Sequence, residues 1–349
     1  MGPPGTKERA LWHGQCPNAG RRARDPGAAG GLPVTTIAFW SNFPSTPLSG
    51  VAAALPDDTI VMIKDEADLA LARDAEIAFC GIGHERVRKL LAATPKLRWY
   101  HTPAAGVDRL LEIPDFRARG IVITNNSGSY DIQIAEHVMA FVFGAAKRLH
   151  LYRDQQARHE WRELQHQEVR GETMVVFGAG SIGGEVARLA AAAGLRVIAV
   201  RRSGGAVPGA QRVVTTDALA EVVGEADYLI VAAPLTAATR GAISRAVLAR
   251  MKRTAWVVNI ARGTIIEEDA LIDALRDERI GGAALDTFVE EPLPADSPLW
   301  SLPNVVITPH TSNSSPRVRE RTLALFVENV RRFKAGESLL NRVDYETGY

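Results

Sequence analysis

Met174-Val175-Val176-Phe177-Gly178-Ala179-Gly180-Ser181-Ile182-Gly183 carries a short apolar run straight into the pattern G-x-G-x-x-G. Beyond it, Ile182, Val186, Leu189 and Ala193 fall on one helical face. Each glycine answers a separate need. Gly178 permits a tight turn. Gly180 lets an anion approach the backbone with no Cβ in the way. Gly183 lets the helix pack closely on the strand. The N–H groups and dipole at the helix start then favour a pyrophosphate. The segment predicts the phosphate turn of a dinucleotide site, with Gly178, Gly180, Ser181, Ile182 and Gly183 around the phosphates.

The turn opens an αβ series with strands predicted over 174–177, 197–200, 228–232, 255–260, 282–285 and 305–308. Six strands with intervening helices complete a dinucleotide-binding sheet. A separate αβ series precedes it, with β-rich runs at 36–40, 59–63, 77–80, 98–101 and 121–124. Strands that alternate with helices argue for parallel sheets covered on both faces. Between the two series lies a long helix. Ile134, Val138, Phe141, Val142 and Ala145 repeat at helical spacing, and Asp131 is its expected cap. The last helix is expected to open at Ser315-Pro316, with Leu323, Phe326, Val327, Val330 and Phe333 on one face. The fold class is therefore α/β, with two doubly wound parallel-sheet domains.

Composition agrees with two soluble domains. The chain has 349 residues, 46% hydrophobic and 23% charged, too long for one compact core and ordinary in mix. Lys plus Arg is 41 against 40 for Asp plus Glu, a net charge of +1. No global basic field is present to draw nucleic acid or an anionic membrane. The two cysteines, Cys16 and Cys80, form no disulfide framework, so a reducing compartment and a cytoplasmic location are expected. The longest apolar runs, 138–146 and 255–261, have core length rather than membrane length. No metal-ligand spacing occurs, since His159-Glu160 is followed by Trp161, Arg162 and Glu163. Residues 1–34 hold seven glycines and five prolines with no serine and no continuous apolar stretch. They read as a flexible tail rather than a targeting peptide.

Chemistry is expected beyond the carboxyl ends of the strands. The strand over 197–200 runs into Arg201-Arg202-Ser203, where a carboxylate would suit the free ribose of NAD. Two guanidinium groups and a hydroxyl suit a 2′-phosphate instead. NADP(H) is the expected cofactor, with NAD(H) possible. Arg262 follows the strand over 255–260, Asp286 and Glu291 follow that over 282–285, and His310 follows that over 305–308. A fixed cation, carboxylates and an imidazole suit hydride transfer to a carbonyl beside a carboxylate. Arg262 can grip the substrate carboxylate and polarise the carbonyl. His310 can exchange the proton with the carbonyl oxygen, and Glu291 can fix its tautomer.

These residues resemble the D-isomer-specific 2-hydroxyacid dehydrogenase family, of the NADP-type glyoxylate/hydroxypyruvate reductase kind. The carriers are Ala104-Ala105-Gly106-Val107-Asp108, Gly178–Gly183, Pro234-Leu235-Thr236, Val258-Asn259-Ile260-Ala261-Arg262-Gly263, Ala284-Leu285-Asp286, Glu291-Pro292-Leu293-Pro294 and Thr308-Pro309-His310. The resemblance implies that Arg262, Glu291 and His310 are catalytic. It implies that Ala105 and Gly106 offer backbone N–H groups to the substrate carboxylate, and that Asp286 holds the nicotinamide carboxamide. Pro234, Ile260 and Ala261 fall where the cofactor is held. A Rossmann domain over 131–311 would be inserted into a flavodoxin-like substrate domain made of 35–130 and 312–349, in a homodimer.

The chain departs from the family pattern at three places. Arg201 replaces an acidic residue, Ser312-Asn313-Ser314 replaces a small stretch after the histidine, and Asn126–Tyr130 is an unusual hinge sequence. No C-terminal regulatory extension of the phosphoglycerate dehydrogenase kind is expected. Short-chain dehydrogenases are excluded because no tyrosine has lysine four residues on. The expected partner is a small 2-keto or 2-hydroxy acid. The alternative is a dinucleotide-sensing protein of the corepressor type on the same fold.

Overall fold

The computed structural model describes residues 34–41, 48–81 and 83–348. The expected tail, Val34 apart, lies outside the described residues, as does Cys16. The first sheet is parallel and contains β1 (Thr36–Ser41), β2 (Thr59–Met62), β3 (Ile77–Gly81), β4 (Trp99–His101) and β5 (Val122–Thr124). Its order is β2-β1-β3-β4-β5, the doubly wound 2-1-3-4-5 arrangement. Alternate side chains along each strand go to opposite faces. Ile37, Phe39, Ile77, Phe79 and Trp99 form one buried layer, and Ala38, Trp40, Ala78, Cys80 and Tyr100 form the other.

The second sheet is also parallel. It contains β6 (Thr173–Phe177), β7 (Arg196–Val200), β8 (Arg212–Val214), β9 (Tyr228–Val231), β10 (Trp256–Asn259), β11 (Gly282–Leu285) and β12 (Val305–Ile307). The order is β12-β11-β10-β9-β6-β7-β8. The sheet has seven strands where six are expected. The additional one, β8, is a three-residue edge strand paired only with β7, too short to leave a pattern in the sequence. The Asp131–Ala146 helix buries Ile134, Ala135, Val138 and Val142 in the same core layer as Val186, Ala187 and Ala190 of the Ser181–Ala192 helix.

Two expected helix starts are corrected. Asp131 is the first residue of its helix, and Tyr130 holds the cap position without a side-chain cap. The last helix is Val318–Lys334, not a helix opening at Ser315-Pro316. There the Ser315 hydroxyl accepts the Arg317 N–H at 3.3 Å, closing a turn just ahead of the helix. The apolar face of that helix packs on the first sheet. Phe326 sits edge-on to Phe39 and Phe79, at 5.5 and 5.1 Å between ring centres. Lys334 Nζ donates to Asp58 at 2.9 Å with both side chains nearly inaccessible. The chain therefore crosses from the first sheet to the second and returns.

A buried polar clamp holds the crossings. Arg321 donates to the Ser129 carbonyl at 2.9 Å and to Gln133 at 2.7 Å. Gln133 donates to the Asn313 carbonyl at 3.2 Å, and Asn126 donates to Thr322 at 2.7 Å. Among the described residues no helix is long and apolar enough to cross a membrane.

Candidate active site

The order of the second sheet reverses between β6 and β9. Neighbouring connections leave there for opposite faces, and a crevice opens beyond the carboxyl ends of the strands. The Gly178–Gly183 turn lies at that crevice. Gly178 has φ +98°, in the left-handed region where glycine is favoured. A Cβ on Gly178 would overlap the backbone of Ala233, and one on Gly183 would overlap the Gly178 carbonyl. A Cβ on Gly180 would meet nothing within 4 Å. So Gly178 and Gly183 serve the protein's own packing, whereas Gly180 leaves room outside it. A pyrophosphate fits this cradle.

The helix start has one feature that motif reading missed. The Ser181 hydroxyl donates to the Asp131 carboxylate. Burial pushes the Asp131 carboxyl above its ordinary value, against the opposing effect of the Ser181 bond. At the β7 end, the Arg201 N–H donates to the Val214 carbonyl at 3.0 Å. That bond places Arg201, Arg202 and Ser203 beside the edge strand β8, with Arg202 and Ser203 exposed. Pro234 is exposed after β9, and Ile260 and Ala261 are buried after β10.

Arg262 stands three residues past β10, Asp286 one past β11 and His310 three past β12. These are neighbouring parallel strands, each about 4.8 Å from the next. The fold thus brings all three residues to one edge. Arg262 Nη1 donates to the Ala261 carbonyl at 2.8 Å, and Nη2 donates to Asp108 Oδ1 at 3.0 Å. Asp108 belongs to the loop after β4, so the pair joins the two sheets' loops. A Cβ on Gly106 would overlap Arg262 Nη2. Among the described residues the Ala105 and Gly106 N–H groups donate to no protein acceptor. Asn125 holds that turn by donating to the Ala105 carbonyl at 2.8 Å.

His310 Nδ1 is 2.8 Å from Glu291 Oε2, and Glu291 Oε1 accepts the Phe288 N–H at 3.0 Å. Gly263 makes the Glu291 loop possible, because a Cβ there would overlap the Phe288 carbonyl. Asp286 is fully buried. It accepts from the Thr308 hydroxyl at 2.5 Å, the Thr311 N–H at 2.9 Å and the Ser312 N–H at 3.1 Å. The residue expected at the nicotinamide carboxamide is thus first of all an anchor for the loop that carries His310. His137, on the Asp131–Ala146 helix, lies 3.3 Å from the Thr308 hydroxyl. Burial lowers the His137 pKa, outweighing the nearby Asp286 charge. Sequence reasoning gave no role to Asp108, His137 or Thr308, and to Asp131 only that of a helix cap. Asp108 and Thr308 carried a signal only as members of the Ala104–Asp108 and Thr308–His310 motifs.

The model of the D-isomer specific 2-hydroxyacid dehydrogenase NAD binding domain matches residues 139–312. A glyoxylate reductase of Korarchaeum cryptofilum is 35% identical over 268 residues, 74% of this chain and 79% of that protein. A D-isomer specific 2-hydroxyacid dehydrogenase from Xanthobacter autotrophicus, solved with NADPH, superposes with a TM-score of 0.80 at 28% identity, covering 91% of this chain and 100% of that one. The NADPH-dependent glyoxylate/hydroxypyruvate reductase of Sinorhizobium meliloti gives 0.80 at 27% identity, over 90% and 100%. The likeness spans nearly the whole of both solved structures and 74% of this chain at 35% identity to the glyoxylate reductase, and on these grounds the chain belongs to the D-isomer specific 2-hydroxyacid dehydrogenase family.

Proposed function

We propose that the protein is an oxidoreductase that reduces the carbonyl of a small 2-keto acid to a D-2-hydroxy acid, using NAD(P)H with NADP(H) favoured. The observation that carries this reading is the His310–Glu291 pair, 2.8 Å apart, on the same sheet edge as Arg262 and the Gly178–Gly183 turn. A bound reduced nicotinamide supplies the hydride. Gly180 gives the pyrophosphate its approach, while Pro234, Ile260 and Ala261 wall the crevice. Arg262 binds the substrate carboxylate and polarises the carbonyl, with the Ala105 and Gly106 N–H groups as further donors. Glu291 accepts from His310 Nδ1–H, so Nε2 faces the substrate and gives its proton to the carbonyl oxygen. In the oxidation direction Nε2 takes the proton back. Asp286 holds the His310 loop, with the carboxamide as its further proposed partner.

The preference for NADP(H) rests on Arg201, Arg202 and Ser203, which offer cationic and hydroxyl donors to a 2′-phosphate. The NADPH-bound and NADPH-dependent relatives are in keeping with it. The glyoxylate reductase and glyoxylate/hydroxypyruvate reductase relatives support a small keto acid such as glyoxylate or hydroxypyruvate. We divide the chain into a substrate domain of 35–130 and 312–349 and a dinucleotide domain of 131–311. The return of the Val318–Lys334 helix to the first sheet supports that division.

A homodimer is supported by the arm formed by residues 147–167, which folds on itself through Lys147 to Gln167 and Arg148 to Gln165 bonds. The arm and the helix before it expose Phe143, Leu149 and Trp161, the last at 98%, as apolar area for a second copy. A cytoplasmic location suits Cys80, a free buried thiol.

A panel of 2-keto acids assayed against NADPH and NADH tests the function. Saturable turnover, faster with NADPH, is expected. Tight NADPH binding with no turnover of any keto acid would replace the enzyme reading by the dinucleotide-sensing one.

A further inference from the structure

We propose that Asp108 is a positioning residue that sets the plane of the Arg262 guanidinium for the substrate carboxylate. This rests on the function proposed above. The two residues are 154 apart in sequence and come from loops of different sheets, yet Nη2 donates to Asp108 Oδ1 at 3.0 Å. The same guanidinium donates through Nη1 to the Ala261 carbonyl at 2.8 Å. A planar group held at two nitrogens, and tethered by its own side chain, has its plane fixed. An arginine side chain is otherwise free among many rotamers, and that freedom would have to be lost when substrate binds.

The surroundings fit a built seat. Arg262 is 34% and Asp108 23% exposed, so neither is a freely solvated surface charge. Gly106 makes room for the group, since a Cβ there would overlap Nη2 and lie 3.1 Å from Asp108 Oδ1. The guanidinium thus rests against the turn whose Ala105 and Gly106 N–H groups are unclaimed. Asp108 could instead be a competitor that occupies the arginine until substrate displaces it. The bond count favours positioning: Asp108 takes one N–H through one oxygen. A competitor would fill the two-pronged edge that a carboxylate prefers. The bridge also makes the geometry of Arg262 depend on the first sheet's loop, so the arginine is aimed only when both loops are in place.

The test uses the full chain with glyoxylate or the best substrate of the panel, and compares wild type, Asp108→Ala, Asp108→Asn, Arg262→Ala and the Asp108→Ala/Arg262→Ala double variant. NADPH affinity is followed by fluorescence titration. Asp108→Ala is expected to raise KM and to lower kcat/KM by roughly 10–10²-fold, with NADPH affinity unchanged. Asp108→Asn, which keeps one acceptor oxygen, is expected to recover part of the loss. The double variant is expected to be no slower than Arg262→Ala alone, because the two residues act as one unit. A lower KM in Asp108→Ala would overturn positioning in favour of competition. Unchanged kinetics, or losses that multiply in the double variant, would overturn it outright.

If Asp108→Ala does not fold, the comparison rests on Asp108→Asn. Oxamate, a keto-acid isostere whose carbonyl does not take hydride, gives a readout free of turnover. Its Kd for the NADPH-loaded protein is expected to rise about tenfold on loss of the Asp108 charge. A wild type that reduces no 2-keto acid would defeat the proposed function. The oxamate Kd would still decide the role of Asp108, an unchanged value overturning it.

Discussion

His310 Nδ1 and Glu291 Oε2 are 2.8 Å apart, and the other Glu291 oxygen is taken by the Phe288 N–H at 3.0 Å. An ionised carboxylate only accepts, so the bond fixes the hydrogen on Nδ1 and leaves Nε2 to serve the substrate. His310→Ala should therefore slow reduction by roughly 10²–10⁴-fold while NADPH affinity stays near wild type. Glu291→Gln keeps an acceptor for Nδ1–H and should cost less. Steady-state rates with a parallel NADPH titration check both. Turnover unchanged in His310→Ala would remove the imidazole from the mechanism.

The three glycines of the turn should separate by experiment. A Cβ on Gly183 would overlap the Gly178 carbonyl, whereas one on Gly180 meets nothing within 4 Å. Gly180 also has φ −86°, outside the left-handed region that favours glycine. Gly180→Ala should melt with the wild type and yet bind NADPH at least about tenfold more weakly. Gly183→Ala should lower the melting temperature as well as the affinity. If Gly180→Ala bound NADPH normally, the cradle would not be the pyrophosphate seat.

What the sequence disclosed was local. The phosphate turn was legible because its three glycines sit within six residues. Arg262, Asp286 and His310 were legible because each closely follows an apolar strand, and parallel strands end on one side. The hydrogen bonds that aim those groups were not legible. Asp108 meets Arg262 across 154 residues, and Thr308 reaches Asp286 across 22. Such pairs leave no periodicity. Local rules also misplaced boundaries. Asp131 has the chemistry of a helix cap, but its carboxylate is taken by Ser181 of another helix. Ser315-Pro316 likewise looks like a helix start but closes a turn two residues before the Val318–Lys334 helix. β8 is three residues long and gains its structure from β7 rather than from its own pattern.

Cofactor choice is open to a charge exchange. Arg201 and Arg202 leave β7 at the cofactor end of the sheet, with Arg201 fixed through its own N–H. Arg201→Asp combined with Arg202→Ala removes two cations and supplies an acceptor for ribose hydroxyls. The ratio of kcat/KM for NADPH to that for NADH should fall at least about tenfold, the equivalent of one lost charge-assisted bond. High salt should narrow the wild-type preference as well, since these groups are solvent-facing. A ratio that survives the double change would mean that other residues read the 2′ position.

At the amino-terminal edge of the same sheet, the Glu172 carboxyl lies within hydrogen-bonding reach of Asp227. Asp227 also accepts from Lys252 Nζ at 2.7 Å and from the Thr173 N–H at 2.9 Å. The bond to Asp227, then burial, then the Asp227 charge raise the Glu172 pKa from 4.5 to about 7. A pKa higher in the folded state means that the folded protein binds the proton more tightly. The stabilisation is complete below the unfolded value of 4.5 and is lost as pH rises through about 7. Glu172→Gln keeps an N–H donor for Asp227 and cannot ionise. The variant should match the wild type at about pH 4 and melt higher by about 1–3 °C at about pH 8.5. The gain is small because the pair stays partly open to solvent, which screens it. Thermal melts at the two pH values decide the matter: an equal difference at both, or a lower melting point for Glu172→Gln in alkali, would show that the shared proton does not govern stability here.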